Sequence, residues 1–294
     1  MAAQLPEAEA TLAMAPPAEP RAFRRGWTRS LDLVIPGAMI AVILLLCFVW
    51  PLFGTVPKPT GGNILDANIS SFSSGHPLGT DQVGNDLWSR LLYGGRNSLE
   101  IAFAVNLIGL VLGGLLGALA AYWGSFTDTV IMRILDVLIA FPSLVLALAV
   151  AQSLGASKLH TIYALCFFSV PAFARLARAG TLRLRERPFM LAARLAGTRA
   201  PRILLRHVAP NIVPQLITFG LLGIGVTIIL EGALSFLGLG VPPPEPSWGN
   251  MIFDGQAVLS AEPKLVLLPS AFLFVTVLAF NLLGDALRSR GNVS

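Results

Sequence analysis

The sequence predicts an all-α membrane protein with about six transmembrane helices, and its composition and hydropathy carry that prediction. Of its 294 residues, 54% are hydrophobic and 13% are charged, and the mean hydropathy is +0.71. Soluble domains carry about 25% charged residues. Long apolar runs recur along the chain, each close to the roughly 20 residues that span a bilayer as a helix. This pattern excludes the class of soluble enzymes.

Six apolar runs form the predicted spans, namely Leu31–Phe53, Leu99–Tyr122, Thr129–Ala151, Leu159–Ala179, Ile212–Phe236 and Leu265–Leu287. The first run exceeds the roughly 7–15 apolar residues of a cleavable signal, so we expect it to remain as a helix. Residues 1–30 before it are expected to be a disordered cytoplasmic tail, in which Arg24-Arg25 is a weak match to a twin-arginine signal. Residues 31–98 are expected to form the first transmembrane helix and an outer loop, and residues 99–290 a transmembrane core with a cytoplasmic loop at 183–211.

Basic residues predict the orientation of the chain in the membrane. Cytoplasmic loops of membrane proteins carry an excess of Lys and Arg. The segment 183–211 holds only one acidic residue, Glu186, against Arg183, Arg185, Arg187, Arg194, Arg199, Arg202 and Arg206. Arginines also precede the first span and follow the last. We therefore expect both termini in the cytoplasm, and the same bias explains the pI near 9.8 without a nucleic-acid partner.

The cytoplasmic insert predicts two short helices joined by a bend. Pro188 suits a first helical turn, and Gly197 suits a left-handed helix stop. A second helix is expected to follow a Thr198 cap, to tolerate Pro201 in its first turn and to end at Pro210. Such a basic segment fits a lever that a cytoplasmic partner pushes, and it equally fits a solvated loop that only satisfies the charge bias.

A spaced motif in this insert resembles the EAA loop of bacterial ABC importer permeases. The motif A-A-x-x-x-G-x(9)-H-x-x-P-N is formed by Ala192, Ala193, Gly197, His207, Pro210 and Asn211. Three further stretches are similar to the dipeptide/oligopeptide/nickel family of these permeases and to its "C"-type subunit. They are HPLGTDQVGNDLWSRLLYGGRNSL from His76, EGALSFLGLGVPPPEPSWGNM from Glu231 and NLLGDALR from Asn281. The chain departs from the motif at Leu191, where the family has the Glu that names the loop.

The resemblance implies a type I ABC importer permease fold and a function in peptide import across the bacterial inner membrane. It implies a heterodimer with a homologous permease, two cytoplasmic ABC ATPases and an extracytoplasmic substrate-binding protein. The chain has no G-x-x-x-x-G-K-[ST] motif, so ATP and Mg are expected on the ATPases, with no cofactor, metal or catalytic residue on this chain. The residues expected to couple to the ATPases are Leu191, Ala192, Ala193, Arg194, Gly197, Arg202, His207, Pro210 and Asn211.

The outer side offers candidates for a gate or for the translocation path, namely Asp81, Asp86, Arg90, Arg96 and Glu231. The first four are expected on or beside a short outer helix. They either form an external lid or pair with one another in a loop that packs on its own spans. Glu231 either lines the passage or, as we prefer, pairs with Arg96. Trp248 is expected near the membrane interface.

Several residues inside the spans predict packing rather than chemistry. Pro142 and Pro171 are expected to kink their helices. Cys47 and Cys166 fall in apolar runs and are expected to be packed thiols. A small residue at every fourth position predicts close approach of a neighbouring helix along the ridge Gly109, Gly113, Gly117 and Ala121.

Other functions remain open from the residues alone. An ion-coupled secondary transporter would need an intramembrane cluster of ionisable groups or an inverted repeat, and Glu231 and Asp136 are the clearest candidates. A membrane scaffold could bind anionic lipid through the basic loop, although that needs neither a Gly hinge nor a Pro-Asn exit. Within the resembled family, dipeptides, longer peptides, nickel chelates, glutathione and opines remain possible substrates, with His76 as a candidate nickel contact.

Overall fold

The computed structural model describes residues 28–53, 56–73 and 75–291, and the secondary-structure elements it assigns there are all helical. Five helices are long and apolar enough to cross a membrane, and a bent pair of helices makes a sixth span. The prediction of an all-α fold with about six spans is confirmed. Almost all of the predicted N-terminal tail lies outside the described residues.

The helices are α1 (Thr28–Leu44), α2 (Leu87–Ile108), α3 (Gly114–Trp123), α4 (Ser125–Ile139), α5 (Ser143–Leu154), α6 (Lys158–Arg185), α7 (Pro188–Leu195), α8 (Ala200–Ile203), α9 (Ala209–Phe236), α10 (Trp248–Gly255) and α11 (Lys264–Gly291). Wider π-helical turns extend α1 and join α2 to α3 and α8 to α9, at Leu45–Val49, Gly109–Gly113 and Leu204–Val208. Short 3₁₀ turns occur at Trp50–Phe53, Ile64–Asp66 and Gln256–Val258. The spans therefore include several continuous helices longer than the bilayer requires.

The second span begins earlier than the sequence predicted. One helix of 37 residues runs from Leu87 to Trp123, whereas the predicted start was Leu99. The predicted separate outer helix is the first part of this long helix. Asp86 fixes its start, because its carboxylate accepts the backbone N–H of Ser89 at 2.7 Å and so satisfies a free donor of the first turn.

The third span is broken. Helices α4 and α5 meet at 85° around Phe141 and Pro142, which confirms the predicted kink at Pro142. Proline lacks a backbone donor, and it disfavours the helical conformation of the residue before it. By contrast, α6 runs through Pro171 without a break.

The second helix of the insert does not end at Pro210, and that part of the prediction is wrong. A single helical segment continues from Ala200 to Phe236. The π-helical turn directly before α9 lets Pro210 sit in the first turn of that helix, where its missing donor costs little. The Thr198 cap is also wrong, since Arg199 precedes α8 and no side chain caps it. Pro201 does lie in the first turn, as predicted.

The small-residue ridge packs α3 and the turn before it directly on α6. A Cβ atom at Gly113 would lie 2.4 Å from the carbonyl oxygen of Val170, and one at Gly117 would lie 2.0 Å from that of Ala174. Real side chains do not tolerate such distances, so only glycine permits this approach. The predicted packing role of the ridge is confirmed.

An outer apolar core surrounds Trp248, at the start of α10. Its side chain is fully buried and packs in a cluster that includes Cys47 and Leu91. The indole Nε1–H donates to the carbonyl oxygen of Leu91 at 3.0 Å. Trp248 therefore packs inside the protein, under an outer loop that folds back over the span ends. An inner core connects α3, α6 and α9 to the insert.

Candidate functional site

The insert is a compact knob, which we define as residues 186–211, and its inner face is anchored in the inner core. Met190 of α7 and Ile203 of α8 are completely buried. They pack in one cluster with Phe173 of α6 and Ile212 of α9. Two spans thus hold the two short helices from above. A force on the knob is transmitted to these spans through close-packed apolar contacts.

A tight turn at Gly197 sets the angle between the two short helices. Gly197 has φ +71°, the left-handed region that favours glycine, as the sequence predicted. Its N–H donates to the carbonyl of Arg194 at 3.0 Å, and the N–H of Thr198 donates to Ala193 at 3.1 Å. These bonds satisfy carbonyls at the end of α7, so the bend is a defined structure and not a solvated loop.

The outward face of the knob is apolar and unusually exposed. The exposed fraction of Leu195 is 89%, that of Leu205 is 72% and that of Leu191 is 50%. Ala192 is exposed on the same helix, and Ala193 is half-buried. We call this face the coupling surface. Exposed apolar patches with a polar rim mark protein interaction sites, and the exposed Arg187, Arg199, Arg202 and Arg206 provide such a rim.

The structure turns Arg194 away from this rim. Its guanidinium carbon lies 5.0 Å from the ring centroid of Tyr122, a cation–π contact with the end of α3. Its Nε and Nη2 atoms are buried and have no hydrogen-bond partner among the described residues. The expected contact of Arg194 with a cytoplasmic partner therefore has no support in this geometry, and its visible role is to hold α7 against α3.

The remaining motif residues form the exit from the knob into α9. The ring of His207 lies 6.2 Å from that of Phe189 in a tilted arrangement, so it packs the π-helical turn Leu204–Val208 against α7. The side-chain amide of Asn211 donates to the carbonyl of His207 at 2.6 Å. Pro210 is exposed between them. The bond from Asn211 ties the first turn of α9 back to the π-helical turn before it.

On the outer side, the predicted gate charges are tied to one another. The carboxylate of Asp81 accepts an ion pair from Arg90 at 3.1 Å, and Arg90 also reaches Asp254 at 3.4 Å. Asp86 pairs with His76 at 2.9 Å. Burial raises the pKa of Asp254, and nearby Arg90 acts in the opposite direction. These bonds attach the outer segment before α2 to α10, around an open pocket of about 470 Å³.

Arg96 and Glu231 do not meet, so the preferred pairing between them is wrong. Arg96 pairs with Glu100 one turn further along α2 at 2.8 Å. Glu100 also accepts a bond from Lys158 at the start of α6. An acceptor one helical turn away offers Arg96 an ion pair at less cost in side-chain order than a distant one.

Glu231 instead organises a buried polar node. Its carboxylate is fully buried and accepts hydrogen bonds from Ser98 at 2.8 Å and from Ser235 at 2.6 Å. Ser98 in turn accepts the backbone N–H of Trp248, and Ser235 accepts that of Val241, both at 3.3 Å. The node connects α2, α9 and the returning outer loop. Its geometry positions backbone and does not line an open passage.

Sequence reasoning missed a charged groove between α4 and α6. Asp128 and Arg178 form two hydrogen bonds of 2.6 Å, and Asp136 and Arg175 form one of 2.7 Å. Arg133 lines the same groove, whose volume is about 530 Å³. Arg175 and Arg178 lie inside the predicted span Leu159–Ala179, three positions apart and hence on one helix face. Two arginines on one face of an apolar span were the sequence signal that could have revealed the groove.

These features, a bundle of apolar helices with a bent, basic knob between two spans, define a multi-pass membrane protein. A profile of the family "Binding-protein-dependent transport system inner membrane component" matches residues 109–290, and the chain belongs to that family. It is thus a multi-pass inner-membrane protein and the permease component of an ABC transport system, whose ATPase and substrate-binding components are its partners.

Individual relatives agree. The chain is 44% identical, over 91% of its length and 89% of the relative, to the glutathione transport system permease protein GsiD of Pectobacterium atrosepticum. It is 36% identical, over 85% of its length and 84% of the relative, to the dipeptide transport system permease protein DppC of Alkalihalophilus pseudofirmus. Among solved structures, an inward-facing form of the MetNI methionine ABC transporter aligns with a TM-score of 0.56 at 17% identity, covering 69% of this chain and 96% of that one. This likeness supports the type I permease fold alone.

Proposed function

We propose that this chain pairs with a homologous permease and that the two form the translocation path for small peptides. The chemical class follows from the relatives, which serve dipeptides and the tripeptide glutathione. Nickel import is the weaker alternative, because the imidazole of His76 is already bonded to Asp86, and the described residues bring no three His, Cys, Asp or Glu side chains together as a metal site.

The exposed coupling surface supports the proposal that a separate ATPase subunit binds there and supplies the energy for transport. Leu195 and Leu191 project from a knob whose other face is locked into two spans. A cytoplasmic ATPase that covers these leucines would gain apolar burial, and the arginine rim would meet its acidic groups. The chain itself would catalyse nothing, and ATP and Mg would be bound by two ATPase subunits. A carboxylate at position 191 is not needed for such docking.

A substitution at Leu195 tests the docking. Leu195→Asp places a charge in an apolar contact, so we expect the ATPase to be lost from the complex purified through this chain. Leu65, on the outer side, is also 89% exposed and provides the matched control Leu65→Asp. Equal ATPase retention in the two variants and the wild type would refute the coupling surface.

Uptake by the reconstituted importer tests the substrate class. With its partner permease, ATPases and binding protein in proteoliposomes, the complex should accumulate a labelled dipeptide or glutathione only when ATP is inside. Unlabelled peptides should compete, whereas nickel should not. Competition by nickel chelates alone would overturn the peptide assignment in favour of the alternative.

A further inference from the structure

The charged groove between α4 and α6 lies where lipid would be unfavourable. Helix α4 leaves the cytoplasmic turn at Gly124, and about 16 Å of helix, at 1.5 Å per residue, separates Ser125 from Asp136. Side-chain exposure is 43% for Asp136 and 51% for Arg175, so this ion pair is open to the surroundings of the chain. Charged groups within a span face protein or a water-filled cavity, not hydrocarbon.

Helix α4 has a charged face, which lines the groove, and an exposed apolar face. Its groove face carries Thr129, Met132, Arg133 and Asp136. Another face exposes Ile134, which is 61% exposed. A helix with one apolar and one charged exposed face lies with the apolar one on lipid. The groove face therefore looks toward the space that the second permease completes.

The groove has one cation in excess. Asp128 is paired with Arg178 and Asp136 with Arg175. Arg133 is exposed and makes no hydrogen bond or ion pair with any residue in the described part of the chain. Two carboxylates against three guanidinium groups leave a net charge of +1. This balance suits a solute that brings its own carboxylate.

Resting on the function proposed above, we infer that the groove lines the inner half of the translocation path and that Arg133 holds the terminal carboxylate of the peptide as it passes. Asp136 is half-exposed beside it and faces the same volume, so an ammonium group of the solute would meet a carboxylate there. Both contacts are exposed and weak, which permits release into the cytoplasm.

Thiol labelling tests whether the groove is aqueous, without any peptide. In a Cys166→Ala background, where the remaining Cys47 is fully buried, Met132→Cys is compared with Ile134→Cys in proteoliposomes of the whole importer. Membrane-impermeant methanethiosulfonates should modify Met132→Cys at least tenfold faster. Because one excess charge about 8 Å away acts oppositely on the two reagents, the anionic one should gain about fivefold over the cationic one, relative to a free thiol. Equal, slow labelling of both positions would overturn the inference.

Transport tests the role of Arg133. Arg133→Gln should lower the peptide imported per ATP hydrolysed by about threefold, the worth of an exposed ion pair, and Arg133→Lys should restore it. Arg288→Gln, an exposed arginine at the cytoplasmic end of α11, is the matched control. Unchanged uptake in Arg133→Gln would contradict the inference while wild-type uptake still supports peptide import. A wild-type importer that accumulates no peptide would instead refute the proposed function itself.

Discussion

Gly197 determines the shape of the knob through its backbone. Its φ of +71° is accessible to glycine and costs other residues about 1–2 kcal/mol. A Cβ atom there would contact nothing within 4 Å, so the constraint is conformational and not steric. The bend between α7 and α8 therefore depends on the backbone conformation of one residue, whose Cβ position is open.

Gly197→Pro should uncouple the importer. Proline fixes φ near −65° and removes the N–H that donates to Arg194, so the bend cannot form. We expect peptide uptake to fall below detection while ATP hydrolysis by the complex continues. Asparagine tolerates the left-handed region, so Gly197→Asn should keep most of the transport. Normal uptake in Gly197→Pro would argue against a lever.

Glu231 is predicted to stabilise the outer end of the protein. Glu231→Ala leaves the hydroxyl groups of Ser98 and Ser235 without their acceptor in a buried site, which costs about 1–3 kcal/mol. The detergent-solubilised protein should unfold at a lower temperature in a thermal scan. Glu245→Ala, an exposed carboxylate on the same side, should not change that temperature. An unshifted transition in Glu231→Ala would show that the node is dispensable.

The hydrogen-bond and ion-pair partners of individual side chains were the feature that the sequence predicted least well. Sequence placed Glu231 and Arg96 on the outer side but paired them with each other, whereas the structure uses serine hydroxyls and Glu100. Hydroxyls carry no charge signal along the sequence. Arg194 likewise belongs to a basic run, and only the fold brings Tyr122 beneath it.

Among the helices, the contact of α3 with α6 depends on glycine. Gly117 approaches the carbonyl of Ala174 so closely that a methyl group would lie 2.0 Å from it. In a membrane, helix association depends on such dispersion contacts, because lipid offers no hydrophobic gain.

Gly117→Ala should therefore destabilise the bundle even though alanine is the better helix former. We expect a lower unfolding temperature and less assembled complex, since the helices must separate to admit the methyl group. Gly37 lies in α1 with nothing within 4 Å of its Cβ position, so Gly37→Ala is the matched control and should be neutral. A neutral Gly117→Ala would mean that α3 and α6 can shift apart at no cost.

Hydropathy predicted the existence of the spans well and their ends poorly. The apolar runs state which residues suit lipid, but α2 begins at Leu87 because Asp86 caps it and the outer loop buries its first turns. The continuation of α9 through Pro210 depends on a π-helical turn, which no local pattern announces. The glycine ridge and the break at Pro142 were predictable because each follows from backbone chemistry.

At the level of the whole molecule, the knob and the outer node lie at opposite ends of α9. Ile212 begins the contact with the inner core, and Glu231 holds the outer loop at the other end of the same helix. A continuous helix that joins the knob to the outer loop can transmit a motion of one to the other. The charged groove between α4 and α6, which we infer lines the inner half of the translocation path, belongs to the same bundle.

In the proposed function, a cytoplasmic ATPase covers the outward face of the knob. A photoreactive benzoyl-phenylalanine at Leu195, in the reconstituted and transport-competent importer, measures this contact directly. Irradiation should cross-link this chain to the ATPase, and the same group at the equally exposed Leu65 should not. An importer that still transports but yields no ATPase adduct from Leu195 would contradict the account.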